Sequence, residues 1–152
     1  MIKSDKQPNS PFNLNRFISA QEKVYDRVLK ELKNGYKRSH WMWYIFPQLD
    51  GLAQSTTSKY YAIKSREEAL AYLNHPVLGS RLLECANTVL EGEGKTVSEI
   101  FGYPDNLKLK SSMTLFSEVA TDSVFVRVLD KYFQGERDPK TLELLKLENI
   151  NE

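Results

Sequence analysis

The chain has 152 residues, the size of one ordinary domain. It is 41% hydrophobic, 11% aromatic and 27% charged, which disfavours disordered, collagen-like and disulfide-scaffold classes. The 21 Lys and Arg residues nearly balance the 20 Asp and Glu residues, leaving a net charge of +1. Because no strongly basic field is present, we expect no nucleic-acid partner.

Cysteine content and hydropathy indicate the compartment. The single cysteine, Cys85, excludes an internal disulfide. The longest aromatic and apolar run, residues 41–46, is far shorter than the ~20 residues of a membrane helix. The N-terminus has lysines but no apolar stretch of a secretory signal. We therefore expect a cytoplasmic protein with no membrane partner, in which residues 1–11 form a flexible arm and residues 12–148 a single helical domain.

Apolar residues recur at helical spacing from residue 11 onward. The first stripe runs from Leu14 to Leu32 and predicts one helix, with Asn13 as its cap and Gly35 as its left-handed end. The aromatic segment 36–46 follows and is expected to form a short helix or tight turn before Pro47. The pattern of residues 55–63 is ambiguous.

Helix boundaries are clearer in the rest of the chain. Ser65 predicts the start of a helix through residue 73. The segment Asn74-His75-Pro76 predicts a cap followed by a first-turn proline at the start of the next helix, which ends before Gly92. Further helices are predicted over residues 96–101, 105–120, 124–133 and 139–147, the last with Asp138 as its N-cap. No segment shows strand alternation. The sequence therefore predicts an all-α fold, an irregular single-domain bundle of about six to eight helices.

The aromatic segment carries the densest group of chemically interesting side chains. One interpretation is a core plug, because Trp, Tyr and Phe bury large areas. The other is a ligand pocket, whose flat rings stack a planar group while polar neighbours bind its substituents. Both interpretations can hold at once. The aromatic and polar residues of this pocket would be Arg38, His40, Trp41, Trp43, Tyr44 and Gln48.

Three polar residues fall on otherwise apolar helix faces. A helical wheel of residues 107–120 places Lys108 and Ser112 inside the apolar arc, and Gln21 lies near the middle of the first stripe. Buried amides and ammonium groups need partners. We expect Gln21 to be buried and to bond the aromatic segment or the Lys108 helix, and we expect His40 and Lys108 to share one pocket with Ser112. The alternative is four separately satisfied residues at the core edge, with Lys108 reaching outward to solvent.

Standard catalytic signatures are weak by comparison. The two histidines and one cysteine lack zinc-site spacing, so we expect neither a metal nor a cofactor. Cys85 lies on an apolar stripe and is expected in the core. The motif formed by residues 92–95, Gly-Glu-Gly-Lys, lacks the full spacing and the preceding strand of a phosphate loop. Asp105 is one of four carboxylates noted for acid–base work, without an evident partner.

Several motifs in order carry a family resemblance. Residues 38–49, beginning Arg-Ser-His-Trp-Met-Trp, are followed by His75-Pro76 and by residues 108–116. Together they resemble the bacterial domain-of-unknown-function family 1810 over about residues 12–147. The resemblance implies a small, all-helical, monomeric cytosolic protein of a family with no established activity. A looser similarity links the chain to helical proteins that hydrolyse N-glycosidic bonds of ADP-ribose-type or riboflavin-precursor nucleotides.

Three functions follow as hypotheses. The first is a hydrolase acting on N-glycosidic bonds of nucleotide-like ligands, with His40 and Lys108 as candidate catalytic residues. The second is a binding module for a small anionic or nucleotide-like ligand, without turnover. The third is a protein-interaction domain that exposes the aromatic segment. The candidate ligand-binding residues are Gln21, Arg38, Trp41, Trp43, Tyr44, Gln48 and Ser112. The sequence leaves open whether the protein is an enzyme.

Overall fold

Helices make up almost all of the regular structure in the computed structural model, which describes residues 12–151 and their side chains through residue 148. The predicted arm, residues 1–11, lies outside the described residues. Within them, the single β pairing is an isolated parallel bridge between Leu49 and Ile63. The ten helices are α1 (Asn15–Glu22), α2 (Tyr25–Asn34), α3 (Met42–Ile45), α4 (Thr56–Tyr61), α5 (Arg66–Asn74), α6 (Leu78–Glu91), α7 (Val97–Phe101), α8 (Asp105–Val119), α9 (Val124–Phe133) and α10 (Pro139–Asn151).

The all-α class is confirmed, but the predicted number of helices is wrong. Residues 12–151 form ten helices rather than six to eight. The first predicted helix is divided at Lys23 and Val24, where Val24 leaves helical geometry with φ −121°. Both halves turn their apolar residues to the same core, so the spacing continues across the break. The ambiguous segment contains α4, which begins where the Ser55 hydroxyl accepts a hydrogen bond from the Ser58 N–H.

Several predicted helix ends are confirmed. Gly35 ends α2 in the left-handed region with φ 71°, and its N–H bonds carbonyl oxygens of the last turn. Ser65 caps α5, and the Asp138 carboxylate accepts the Thr141 N–H at the start of α10. These ends depend on contacts within three or four residues, which a sequence displays directly.

One predicted cap and one predicted helix start are wrong. Leu14 rather than Asn13 occupies the N-cap of α1, and no side chain bonds the free N–H groups there. Helix α6 begins at Leu78 rather than near Pro76. The ring nitrogen Nδ1 of His75 accepts the N–H groups of Val77 and Leu78, so the acceptor does come from the predicted segment Asn74-His75-Pro76.

Helix α8 lies at the centre of the bundle. All residues from 111 to 117 are buried, and the helix packs against α5, α7, α9 and α10. Helix α6 packs in turn against α2, α5 and α9. This arrangement buries one continuous cluster of apolar side chains, which brings the first turn of α8 close to the loop between α2 and α3.

The aromatic segment contributes to this core. Trp41, Met42, Ile45 and Phe46 are each at most 2% exposed. The Trp41 ring packs against Phe101 of α7, with ring centroids 6.5 Å apart. These four side chains support the core-plug interpretation, because they anchor α3 and hold the neighbouring loop against α7 and α8.

No helix within residues 12–151 is long and apolar enough to cross a membrane.

Candidate functional site

A buried carboxylate, Glu31, holds the loop that leads into the aromatic segment. Its oxygens accept the backbone N–H groups of Arg38 at 2.9 Å and Ser39 at 3.1 Å, the Ser39 hydroxyl, and the Trp41 indole N–H at 2.8 Å. Burial would raise the pKa of Glu31, but the hydrogen bonds from Ser39, Arg38 and Trp41 outweigh it and lower the pKa. The carboxylate therefore stays ionised and fixes residues 38–41.

Two lysines share one carboxylate beside this loop. The ammonium nitrogen of Lys37 lies 2.7 Å from Asp105 Oδ2, and its side chain is 6% exposed. Lys108, one turn into α8, has its ammonium nitrogen 3.8 Å from Asp105 Oδ1 and is 23% exposed. Two positive charges face one negative charge, so the group has a surplus positive charge.

Each ammonium group also lies over a tryptophan ring. Lys37 Nζ is 4.9 Å from the Trp41 ring centroid, and Lys108 Nζ is 5.4 Å from the Trp43 ring centroid. Trp41 is buried, whereas Trp43 is half-buried. We call these five residues, Lys37, Trp41, Trp43, Asp105 and Lys108, the lysine–tryptophan cluster. Its partly exposed members are Trp43, Asp105 and Lys108.

Trp43 also lines a small recess with Gln48 and Tyr61. Its volume is about 10 Å³, close to the space that one water molecule needs. Tyr44 lies next to Tyr61, with ring centroids 5.3 Å apart. This recess is therefore too small to hold a ring stacked on Trp43.

Gln21 is 1% exposed, as expected. Its amide nitrogen donates to the Tyr44 carbonyl at 2.7 Å and to the Tyr72 hydroxyl at 3.1 Å, and its amide oxygen accepts a hydrogen bond from Arg81 at 3.1 Å. The predicted hydrogen bond to the aromatic segment is confirmed. Gln21 thereby joins α1 to α3, α5 and α6, and these three hydrogen-bond partners lie outside the lysine–tryptophan cluster.

The other predicted site residues differ in exposure: His40 and Arg38 are exposed, whereas Ser112 is buried. His40 is exposed, and within the described side chains no hydrogen bond or ion pair joins it to Lys108. Arg38 is also exposed, with its guanidinium 5.7 Å from the Tyr36 ring centroid. Ser112 is fully buried one turn after Lys108, and its hydroxyl has no hydrogen-bond partner among the described residues.

Sequence reasoning missed two residues of this region and noted a third without its partners. Asp105 and Lys108 are three residues apart at the start of a helix, a spacing that indicates contact. Glu31 lies on the apolar stripe three residues after Val28, which also indicates burial. Lys37 is distant from Asp105 in sequence, and no local pattern indicates their pairing.

The remaining polar groups show no standard reaction centre. Cys85 is fully buried, as expected, and this burial raises the pKa of its thiol to about 12 and keeps it protonated. Across residues 12–148, no group of three or more His, Cys, Asp or Glu side chains has the arrangement to hold a metal ion.

The fold and the cluster define a class: a small, all-helical protein with a cation–aromatic cluster at the start of its central helix. The chain belongs to the family described as protein of unknown function (DUF1810), whose model matches residues 11–145. It is 50% identical to the conserved hypothetical protein Rv1873 from Mycobacterium tuberculosis, known from a crystal structure. The similarity covers 90% of this chain and 99% of that chain, with a TM-score of 0.89. No curated protein matches the chain.

Proposed function

We propose that this protein binds a small anionic ligand with a planar ring, such as a nucleotide, at Lys108 and Trp43. The observation that carries the proposal is that Lys37 and Lys108 share the single carboxylate of Asp105 beside a partly exposed tryptophan. A surplus cation and an accessible aromatic ring are the two elements that recognition of such a ligand requires.

The charges assign different roles to the two lysines. Lys37 makes the short contact with Asp105 and is nearly buried, so it neutralises that carboxylate. Lys108 keeps only a 3.8 Å contact and is more exposed, so its ammonium group is available to an incoming anion. An anion on Lys108 would also relieve the repulsion between the two ammonium groups.

The ring would bind where Lys108 now lies. When the Lys108 ammonium turns toward an anion, it uncovers the Trp43 face for stacking. We assign Arg38 and His40, exposed on the loop beside Lys37, to further polar contacts, and Gln48 and Tyr44 to the border of Trp43. Trp41 and Ser112 are buried and would shape the site from behind, whereas Gln21 would support it only through its hydrogen bond to the Tyr44 carbonyl.

Thermal melts with a nucleotide panel test this proposal. Lys108→Ala is expected to change the free energy of unfolding by less than about 1 kcal/mol, since it removes a long, partly exposed ion pair. It should also abolish the ligand-induced rise in melting temperature. The matched control is Leu115→Ala on the same helix, a fully buried position where truncation costs about 2–5 kcal/mol and leaves the ligand shift intact. The proposal fails if no panel member stabilises the wild type, or if Lys108→Ala melts as low as Leu115→Ala.

A second candidate is hydrolysis of the N-glycosidic bond of such a nucleotide. The observation that favours it is the Asp105 carboxylate beside Lys108, because cleavage develops positive charge on the sugar that a carboxylate stabilises. In this reaction a water oxygen bonds to the sugar C1 atom, and the base leaves with a proton. Chromatography should then show free base, and Asp105→Asn should stop its release while the ligand still raises the melting temperature. Intact nucleotide after long incubation would rule out catalysis, and the proposal of ligand binding without turnover would remain.

A protein-interaction role for the aromatic segment receives less support. Trp41, Met42, Ile45 and Phe46 are buried in the core, so the side chains available to a partner are the exposed Tyr36, the half-buried Trp43 and Tyr44, and the polar residues of the loop between α2 and α3.

A further inference from the structure

A cavity of about 290 Å³ lies between the ends of α2 and α6. Leu32, Val89 and Ile100 provide its apolar surface, and residues 33–35 and 91–95 form much of its polar lining. None of its lining residues belongs to the lysine–tryptophan cluster. It includes three residues of the Gly-Glu-Gly-Lys motif, which the proposed function leaves unused.

The motif is unsuited to a phosphate. A phosphate loop leads into a helix whose free N–H groups face the anion. Here the following helix, α7, has five residues, and its first turn is already bonded. The Thr96 hydroxyl accepts the Glu99 N–H at 3.1 Å, and the Glu99 carboxylate accepts the Thr96 N–H at 2.8 Å. A carboxylate therefore occupies the position that a phosphate would need.

The backbone around the cavity favours a cation instead. Helices α2 and α6 both end there, and helix C-termini carry partial negative charge from their last carbonyl groups. Among the described residues, no hydrogen bond is made to the carbonyl oxygens of Lys33 and Asn34. Glu91 and Glu93 make no ion pair with any described side chain. The lining also includes two lysines, Lys33 and Lys95, so the carbonyl groups at the helix ends, rather than the net charge of the lining, favour a cation.

Two lysines already bind carbonyl groups in this region. The Lys95 ammonium donates to the Gly35 carbonyl at 3.0 Å, and its stem lies against the Gly35 backbone. Gly35 has φ 71° and no side chain, so the lysine can approach this closely. Lys131 bonds the carbonyls of Leu90 and Gly92 at the end of α6. Lys95 therefore shows how a primary ammonium group fits the rim of the cavity.

We infer that this cavity binds a small primary alkylamine as its ammonium ion. The ammonium group replaces Lys95 at the Gly35 carbonyl, and the alkyl chain lies against Leu32, Val89 and Ile100. This site is independent of the proposed nucleotide site. The two ligands have opposite charge, and the cavity shares no lining residue with the lysine–tryptophan cluster.

Nuclear magnetic resonance of the ¹⁵N-labelled full chain, titrated with butylammonium chloride, tests the inference. Saturable shifts are expected at residues 33–35 and 91–95, while butanol, of matched size and no charge, should produce much weaker ones. Lys95→Met removes the internal competitor and should raise the affinity about threefold or more. Glu93→Gln should lower the affinity, whereas Glu143→Gln, an exposed carboxylate of α10, should leave it unchanged.

Three results would overturn the inference. The first is the absence of saturable shifts in both the wild type and Lys95→Met, with thermal melts confirming that the variant is folded. The second is an equal response to butanol, which would show an apolar cavity without cation preference. The third is an unchanged affinity in Glu93→Gln and Lys95→Met together. Each can occur whether or not a nucleotide binds at Lys108.

Discussion

Individual buried polar residues determine the path of the chain around the candidate site. Glu31 illustrates this, because one carboxylate accepts two backbone N–H groups, a hydroxyl and the Trp41 indole. Without it, the buried indole N–H of Trp41 would have no partner, which costs more than the bond itself contributes, and the part-buried donors of Arg38 and Ser39 would also lose their acceptor. Glu31 therefore keeps Trp41 in the core, and its position places Lys37 beside Asp105.

Glu31→Gln should lower the free energy of unfolding by about 1–3 kcal/mol at neutral pH, because the amide cannot accept all four donors. The folded state lowers the pKa of Glu31 below its ordinary value of 4.5. Its stabilisation is therefore full above that value and is lost as the pH falls through the folded-state pKa. Urea unfolding between pH 3 and pH 7 should show a shallower acid loss in Glu31→Gln than in the wild type. The exposed control Glu143→Gln should follow the wild type, and equal slopes in all three proteins would contradict the prediction.

At the scale of elements, helix contacts set how closely segments approach. Helices α5 and α6 meet at Gly79, which faces the backbone carbonyl of Leu73. A Cβ atom on Gly79 would lie 2.0 Å from that carbonyl oxygen. Since backbone atoms cannot move aside as a flexible side chain can, α6 requires glycine at this position.

Gly79→Ala should therefore destabilise the protein, although alanine favours an isolated helix. Overpacking of this kind lowers the free energy of unfolding by about 1–3 kcal/mol. Because the added Cβ atom would meet backbone, we expect the loss for Gly79→Ala to lie at or above the upper end of this range. Ser80→Ala is the matched control on the same turn, because Ser80 is exposed and bonds only the Pro76 carbonyl. Chemical denaturation measures both variants. Equal stability of the two would show that α5 and α6 can separate without cost.

At the scale of the whole molecule, a buried ion pair joins distant segments. Arg16 of α1 and Glu68 of α5 lie 2.8 Å apart, with side chains 6% and 2% exposed. Arg16 also donates to the carbonyls of Asn13, Tyr60 and Ala62, and Glu68 accepts the Lys64 N–H. The pair thus holds the loop after α4 against both helices.

Removal of either partner should be costly, since it leaves the other charge buried. Glu68→Gln is expected to lower the free energy of unfolding by about 3–5 kcal/mol, and Arg16→Met by at least as much because three carbonyls also lose a donor. Glu136→Gln serves as the control, since its ion pair with Lys110 leaves it 73% exposed and should contribute less than about 1 kcal/mol. Urea unfolding at neutral pH separates these cases. A cost for Glu68→Gln no larger than that of Glu136→Gln would refute the structural role of the pair.

The sequence alone determined the properties that depend on neighbouring residues. The helical class follows from the recurrence of apolar residues every three or four positions. The helix ends at Gly35, Ser65 and Asp138 follow from local caps. The burial of Gln21 follows in the same way, from its position on an apolar face. The break between α1 and α2 was not predicted, because a periodic pattern of apolar residues does not indicate a change in chain direction.

Tertiary structure alone decided which polar groups meet. Lys37 and Asp105 are far apart in the chain, and they pair because Glu31 fixes one loop while the packing of α7 and α8 fixes the other. The same packing buries Trp41 and leaves Trp43 half-buried, although the two tryptophans are nearly adjacent in the chain and chemically identical. Contacts of this kind depend on the relative placement of whole helices, which is set by the shape of the entire core and by no local stretch of sequence.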